Sequence, residues 1–137
     1  MRRALALAAL IAVSAAGSAY AAHWTKYVDA DGGLAWSYDA DFSYKDRQTG
    51  RLVVMQAISK PEANMGPAGP GEANGVGSVV ALDCAKKNMI MMSGYKPSAP
   101  LSIRGDWRQE SPKKAAGPEN EALIAAVCPH IDHVPVK

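Results

Sequence analysis

The chain has few of the residues on which most protein chemistry depends. It contains two cysteines, three histidines and one phenylalanine in 137 residues. The two cysteines do not form a C-x-x-C pair, and no G-x-S-x-G sequence occurs. The chain therefore lacks the usual sequence signatures of a zinc-binding or redox protein and of a serine hydrolase. The sequence therefore predicts a protein that is not an enzyme and that needs no cofactor.

Long runs of one charge are also missing. The chain has 15 basic and 13 acidic residues. Two of the basic residues, Arg2 and Arg3, belong to the N-terminal leader described below, so residues 22–137 carry equal numbers of each sign. Because the domain has no basic patch, we do not expect it to bind nucleic acid or an anionic membrane electrostatically. We expect a protein partner, and the sequence leaves the oligomeric state open.

The longest apolar run lies at the N-terminus. Two arginines precede an apolar stretch over residues 4–13, and an A-Y-A sequence follows at 19–21, which is the pattern of a signal peptide with its cleavage site. The stretch is too short to span a bilayer, and no second one follows. We predict a signal peptide at 1–21 and a single domain at 22–137. The protein is then periplasmic or secreted, with no membrane insertion after cleavage.

Both cysteines, Cys84 and Cys128, lie in the exported domain. Two cysteines allow one intramolecular bridge, and an oxidising compartment favours its formation. No histidine is near Cys84 in sequence, which speaks against a metal site. The sequence predicts a structural disulfide between Cys84 and Cys128.

Hydrophobic alternation predicts an antiparallel sheet. From Leu34 to Tyr44, apolar and aromatic residues alternate with polar ones, which places the two sets on opposite faces of a strand. The run has a natural point for a bend at Ala40 and Asp41. Further strands are predicted at 24–28, 51–59, 78–84 and 87–95, with 102–107 as a candidate sixth strand.

The remaining segments are predicted to be loops and one helix. Residues 61–77 contain three prolines and five glycines and are predicted to form a flexible loop, and residues 111–117 a second loop. Pro118 suits the first position of a helix that ends before Pro129. In this helix Cys128 belongs to an apolar stripe that faces the sheet. The expected fold is α+β: a small antiparallel β-sheet of five or six strands with one C-terminal α-helix packed on it and a single disulfide.

A set of scattered residues resembles the surface-adhesin protein E-like domain family. The residues that carry this resemblance are Trp24, Tyr38, Asp39, Asp83, Cys84, Tyr95, Trp107 and the segment 117–128. It implies an exported bacterial domain of this same fold, with a disulfide and with binding of host matrix or plasma proteins. The chain departs from the family in three ways: it lacks the lipid-acceptor cysteine, Met55 replaces a common aromatic residue, and the loop at 61–77 is long.

Together these features predict a non-catalytic envelope protein that binds a protein partner, either a host protein or an envelope component. Strand addition to an exposed sheet edge is a plausible mode, with aromatic side chains providing affinity. The candidate binding residues are Trp36, Tyr38, Phe42 and Trp107, and those for specificity are Asp39, Asp41 and Lys45.

Two other functions remain open. A periplasmic inhibitor or accessory protein of an envelope enzyme would use the loop at 61–77. A metal-handling protein would use His130 and His133, the two weak candidates for metal ligands, together with a methionine cluster. The methionines of that cluster are Met55, Met65, Met89, Met91 and Met92. Core packing is the more ordinary use of methionine.

Overall fold

The computed structural model describes residues 23–60, 76–96 and 100–137. The predicted signal peptide and residues 61–75 of the predicted loop lie outside these ranges. Three short 3-10 helices cover Asp31–Gly33, Trp107–Gln109 and Cys128–His133. The strands and the helix are β1 Trp24–Asp29, β2 Ala35–Asp39, β3 Tyr44–Lys45, β4 Leu52–Ser59, β5 Val76–Asp83, β6 Asn88–Tyr95, β7 Lys113–Lys114 and α1 Pro118–Val127.

The seven strands form one antiparallel sheet in the order β1-β2-β4-β5-β6-β7. The remaining strand, β3, lies on the same side of β4 as β2: β2 pairs with residues 56–59 of β4, and β3 pairs with Leu52 and Val53. Strands β4 and β5 therefore lie at the centre, and β6, of the same eight-residue length, lies next to β5. The predicted antiparallel α+β fold is confirmed, with seven strands where five or six were expected.

Both faces of the central strands are buried, which explains their nearly continuous apolar sequence. On one face, Leu52 and Val54 pack with Val80 and Leu82 and are covered by Leu123, Ile124 and Val127 of α1. On the other face the core consists of Val53, Met55, Ala57, Val79, Ala81, Ile90, Met92, Tyr95 and Trp107. Burial of one such large apolar side chain contributes about 1.5–3 kcal/mol, so these two layers dominate the stability of the domain.

The alternation predicted for β2 is present, and its polar set is the more deeply buried one. Ser37 and Asp39 are buried, whereas Trp36 and Tyr38 are half-buried on the face that carries α1. The Asp39 carboxylate accepts hydrogen bonds from the backbone N–H groups of His23 and Asp41, at 3.1 and 3.0 Å. Asp39 thus closes the turn between β2 and β3, which confirms the predicted bend. Because this side chain is buried, a partner protein cannot contact it.

Two predictions for the connecting segments are wrong. Residues 102–107 are not a strand, because Trp107 turns into the core as part of a 3-10 helix instead of pairing with a neighbour. The predicted loop 111–117 contains β7, which pairs with Asn88 and Met89 of β6. In addition, β5 begins at Val76, two residues inside the predicted loop 61–77.

The helix starts at Pro118 as predicted, and the α-helical turns end at Val127. Cys128 then begins a 3-10 helix that continues to His133, so His130 and His133 lie in regular structure. The predicted Cys84–Cys128 disulfide is present, with a Cα–Cα distance of 5.8 Å. It joins the end of β5 to the end of α1, and bonds of this kind persist in oxidising compartments. Within the described ranges, no helix has the length and apolar character needed to cross a membrane.

Candidate functional site

The outer edge of β6 is largely open. Its neighbour β7 pairs only with Asn88 and Met89, and no other strand of the described chain lies on that side. The carbonyl of Lys87 accepts a hydrogen bond from the Ala115 N–H at 3.0 Å. Since alternate residues of a strand direct their backbone groups to the same side, Met89 and Met91 also point theirs outward. At Met91, beyond the end of β7, the outward N–H and C=O groups are available to an additional strand.

A groove of about 380 Å³ runs beside this open edge. Four consecutive residues of β6, 91–94, form one wall, and Ser102, Arg104 and Glu110 form the other. The two walls are tied by a hydrogen bond of 2.6 Å from Ser93 Oγ to the carbonyl of Ser102. Arg104 forms an ion pair with Glu110 at the rim. The groove therefore offers backbone groups on one side and a pair of opposite charges on the other.

The opposite edge of the sheet has features that disfavour the addition of a strand. On β1, Lys26 and Asp29 form an ion pair of 2.7 Å, and the register shifts between Lys26 and Val28. Charged side chains and bulges are the usual protection of an edge strand. The sequence of β6 from Met89 to Tyr95 has no charge, and Met91 is 52% exposed. Both edge regions contain a register shift, that of β6 lying between Met91 and Ser93, so the two edges differ in charge: β1 is charged and this part of β6 is not.

A second depression, which we call the histidine cavity, lies on the α1 side of the sheet. Its volume is about 260 Å³, and it brings Tyr38 together with His130 and His133. Residues three apart in a 3-10 helix lie on the same side, which is why both histidines reach the cavity; their ring centroids are 6.5 Å apart. The sequence suggested each residue separately, and only the fold brings them together.

The four aromatic candidates do not form one surface. Tyr38 lines the histidine cavity. Trp36 lies in a third depression, lined also by Asp29, Asp31 and Glu119. The other two candidates pack on the opposite face of the sheet: Phe42 against the core, with its ring 6.1 Å from that of Tyr44, and Trp107 inside the core, 3% exposed.

The methionines do not gather around the histidines. Met55 and Met92 are buried on the sheet face away from α1, Met89 lies on the α1 face, and Met91 is exposed at the edge of β6. Met65 lies outside the described residues. In the described ranges, no three histidine, cysteine, aspartate or glutamate side chains are placed to hold a metal ion. His130 and His133 thus lack, within these ranges, a third such side chain with which to hold a metal.

The sequence did not predict the β6 groove, although two of its residues, Met91 and Met92, belong to the methionine cluster named above. Arg104 lies in the segment 102–107, which was predicted to be a strand, and Glu110 lies between that segment and the predicted loop at 111–117, so neither residue is a candidate from the sequence alone. A usable signal was present: seven consecutive residues without charge, from Met89 to Tyr95, in a strand near the edge of the sheet.

No family model matches the chain, and neither a curated protein nor a solved structure matches it. The resemblance to the surface-adhesin protein E-like domain family therefore stays a prediction that rests on the sequence.

Proposed function

We propose that the protein is a non-catalytic binding protein of the bacterial envelope or extracellular space that captures an extended segment of a partner protein. The segment adds as a strand to the outer edge of β6, beyond the end of β7. The observation that carries this proposal is the uncharged open edge beside a groove, in a sheet whose other edge is protected by charge.

The physical basis of this binding is the backbone. Each hydrogen bond formed by an added strand contributes about 0.5–1.5 kcal/mol net, and these bonds are independent of the partner's sequence. Specificity then comes from the side chains that enter the groove. Met91 offers an apolar contact, and the Arg104–Glu110 pair offers both signs of charge, so we expect an apolar segment with polar or charged residues at alternate positions.

The location of the protein is part of the same proposal. The predicted signal peptide at 1–21 and the Cys84–Cys128 disulfide support a periplasmic or secreted protein. The partner is then an envelope component or, following the family resemblance, a host matrix or plasma protein.

The experiment uses a random peptide library displayed on phage and panned against the disulfide-bonded protein. The test variant is Met91→Pro, because proline lacks the outward N–H and is tolerated at an edge position that does not donate to β5. The matched control is Met91→Leu, which keeps the N–H and an apolar side chain. We expect selected peptides to bind the wild type and Met91→Leu, and to lose roughly tenfold or more in affinity for Met91→Pro, which corresponds to about 1.4 kcal/mol.

Amide hydrogen exchange distinguishes strand addition from other modes of peptide binding. A bound strand protects the Met91 amide, which points outward in the free protein. Peptides that bind Met91→Pro as tightly as the wild type, or that leave the Met91 amide unprotected, would contradict the proposal.

A further inference from the structure

We infer that the histidine cavity binds a small monocarboxylic acid with an apolar body. The site is separate from the groove of β6, since it is built by β2, β4, α1 and the 3-10 helix at Cys128–His133. The inference is therefore independent of strand addition and is tested by a different measurement.

The walls of the cavity are apolar. Leu52 and Val127, 1% and 4% exposed, line it from within the core, and Val134 and Ala40 contribute at its sides. The volume of about 260 Å³ is just below the usual range of small-molecule sites, about 300–1,000 Å³, which are likewise mostly apolar with a few polar groups. The apolar body of the ligand is thus a short alkyl chain or a single ring.

The polar groups of the cavity can donate hydrogen bonds to a ligand. His130 and His133 are exposed and lie side by side, with ring centroids 6.5 Å apart, and each neutral imidazole carries one N–H while each imidazolium carries two. Tyr38 adds a phenol. The fourth polar residue, Ser43, already donates its hydroxyl to the carbonyl of Asp39 at 3.2 Å. Among the described residues, no acidic side chain lines the cavity.

Donors at an apolar site select a ligand with a compact acceptor group. A carboxylate has two oxygens that accept several hydrogen bonds, and bonds to a charged acceptor are about twice as strong as neutral ones. The depression around Trp36 has the opposite character, because Asp29, Asp31 and Glu119 line it and would repel an anion. The two depressions on this side of the sheet therefore differ in the charge they accept.

The 3-10 helix is held in position by covalent and backbone links. Cys128, its first residue, is bound to Cys84, and the segment beyond it pairs with β3 through hydrogen bonds of 2.8 and 3.0 Å between Lys45 and residues Pro135 and Lys137. The backbone that carries the two imidazoles is thus held near the cavity before a ligand binds, which lowers the entropic cost of binding.

The test is a titration of the full disulfide-bonded domain with octanoate, followed by the methyl resonances of Leu52, Val127 and Val134. Octanol and octylammonium, which share the alkyl chain, serve as matched ligands. The variants are His130→Gln and His133→Gln, with His23→Gln as the control because His23 lies outside the cavity. A further variant, Ala40→Phe, fills the cavity from a half-buried position without changing the histidines.

We expect octanoate to shift these methyl resonances and to bind more tightly than octanol or octylammonium. Removal of either histidine should weaken octanoate roughly tenfold, as expected for loss of a hydrogen bond to a charged group, while His23→Gln should bind as the wild type. Ala40→Phe should block all three ligands. Equal affinity for octanoate and octanol, or unchanged octanoate affinity in both cavity histidine variants, would overturn the inference. So would binding of Zn²⁺ by the histidine pair without any octanoate shift, since the pair would then be a metal site.

Discussion

Arg108 holds the buried carboxylate of Asp46 at two points. Its Nη2 donates to Oδ1 at 2.6 Å and its Nε to Oδ2 at 3.1 Å, across 62 residues of chain. The Asp46 side chain is 1% exposed, and Thr49 donates to it from the backbone N–H at 3.0 Å and from Oγ1 at 2.6 Å. The guanidinium also lies 4.6 Å from the ring centre of Trp107. The pair therefore links the turn after β3 to the 3-10 helix at Trp107–Gln109, which lies between the groove residues Arg104 and Glu110.

Replacing Asp46 with asparagine should destabilise the domain strongly. The variant keeps the shape of the side chain but loses the negative charge to which Arg108 and Thr49 donate hydrogen bonds. Hydrogen bonds to a charged group contribute about 1.5–3 kcal/mol to stability. We expect a loss of roughly 2–3 kcal/mol in the free energy of unfolding, measured by urea denaturation. Asp106→Asn is the control, because this carboxylate is 70% exposed and 3.9 Å from Arg104; an equal loss in both variants would refute the assignment.

Acid should remove the contribution of Asp46. The hydrogen bond from Arg108, with further bonds from Thr49, lowers the pKa of Asp46 from 3.8 to about 2, against the opposing effect of burial. Because the pKa is lower in the folded state, the stabilisation is complete above the unfolded pKa and is lost as the pH falls from about 5 to about 2. A shift of this size corresponds to roughly 2 kcal/mol. Unfolding free energies measured across this range should fall less steeply in Asp46→Asn than in the wild type; parallel curves would contradict the prediction.

Two tyrosines should respond differently to loss of their hydroxyl groups. Tyr27 donates to Gln56 Oε1 at 2.8 Å, whereas the buried hydroxyl of Tyr95 contacts no hydrogen-bond partner in the described part of the chain, and burial raises its pKa to about 12. Tyr27→Phe leaves a buried amide oxygen unsatisfied and should cost about 1–3 kcal/mol. Tyr95→Phe should lower the free energy of unfolding by less than Tyr27→Phe does. Thermal unfolding of the two variants tests this order, and a larger loss for Tyr95→Phe would reverse it.

Glycine is required at one position in the sheet and not at another. A Cβ atom at Gly77 would lie 1.8 Å from the carbonyl oxygen of Gln56, so β4 and β5 could not keep their spacing. At Gly94 of β6 a Cβ meets nothing within 4 Å. We expect Gly77→Ala to disrupt the β4–β5 pairing and to lower the unfolding midpoint well below that of the wild type. The free energy of unfolding of Gly94→Ala should lie within about 1 kcal/mol of the wild-type value. Equal stability of the two variants would show that the spacing of β4 and β5 adapts to an added Cβ.

The disulfide should supply a large share of the stability. Cys84 and Cys128 are 44 residues apart, and closing a loop of this length stabilises the folded state by roughly 4 kcal/mol in the chain-entropy account. The double variant Cys84→Ser, Cys128→Ser should lose most of this amount in urea denaturation. Amide exchange should rise first at residues 128–133, because the bond anchors that helix. Unchanged exchange there would mean that the backbone pairing with β3 alone holds the histidine cavity together.

The sequence by itself determined the local elements and the covalent link. The strands at 51–59 and 78–84, the helix start at Pro118 and the bend after Asp39 were all predicted. Each depends only on neighbouring residues: a run of apolar residues, a fixed φ at proline, or a short polar turn. The Cys84–Cys128 disulfide followed from there being only two cysteines. These features need no knowledge of what packs against them.

Only the tertiary structure decided which surfaces are covered. Nothing local to β2 shows that Ser37 and Asp39 are buried more deeply than Trp36, because burial depends on the strands and the helix that arrive from distant parts of the chain. For the same reason residues 102–107 form no strand, and Trp107 is buried in the core. The open edge of β6 and the meeting of Tyr38 with His130 and His133 likewise follow from strand order and from the position of α1, which long-range packing sets.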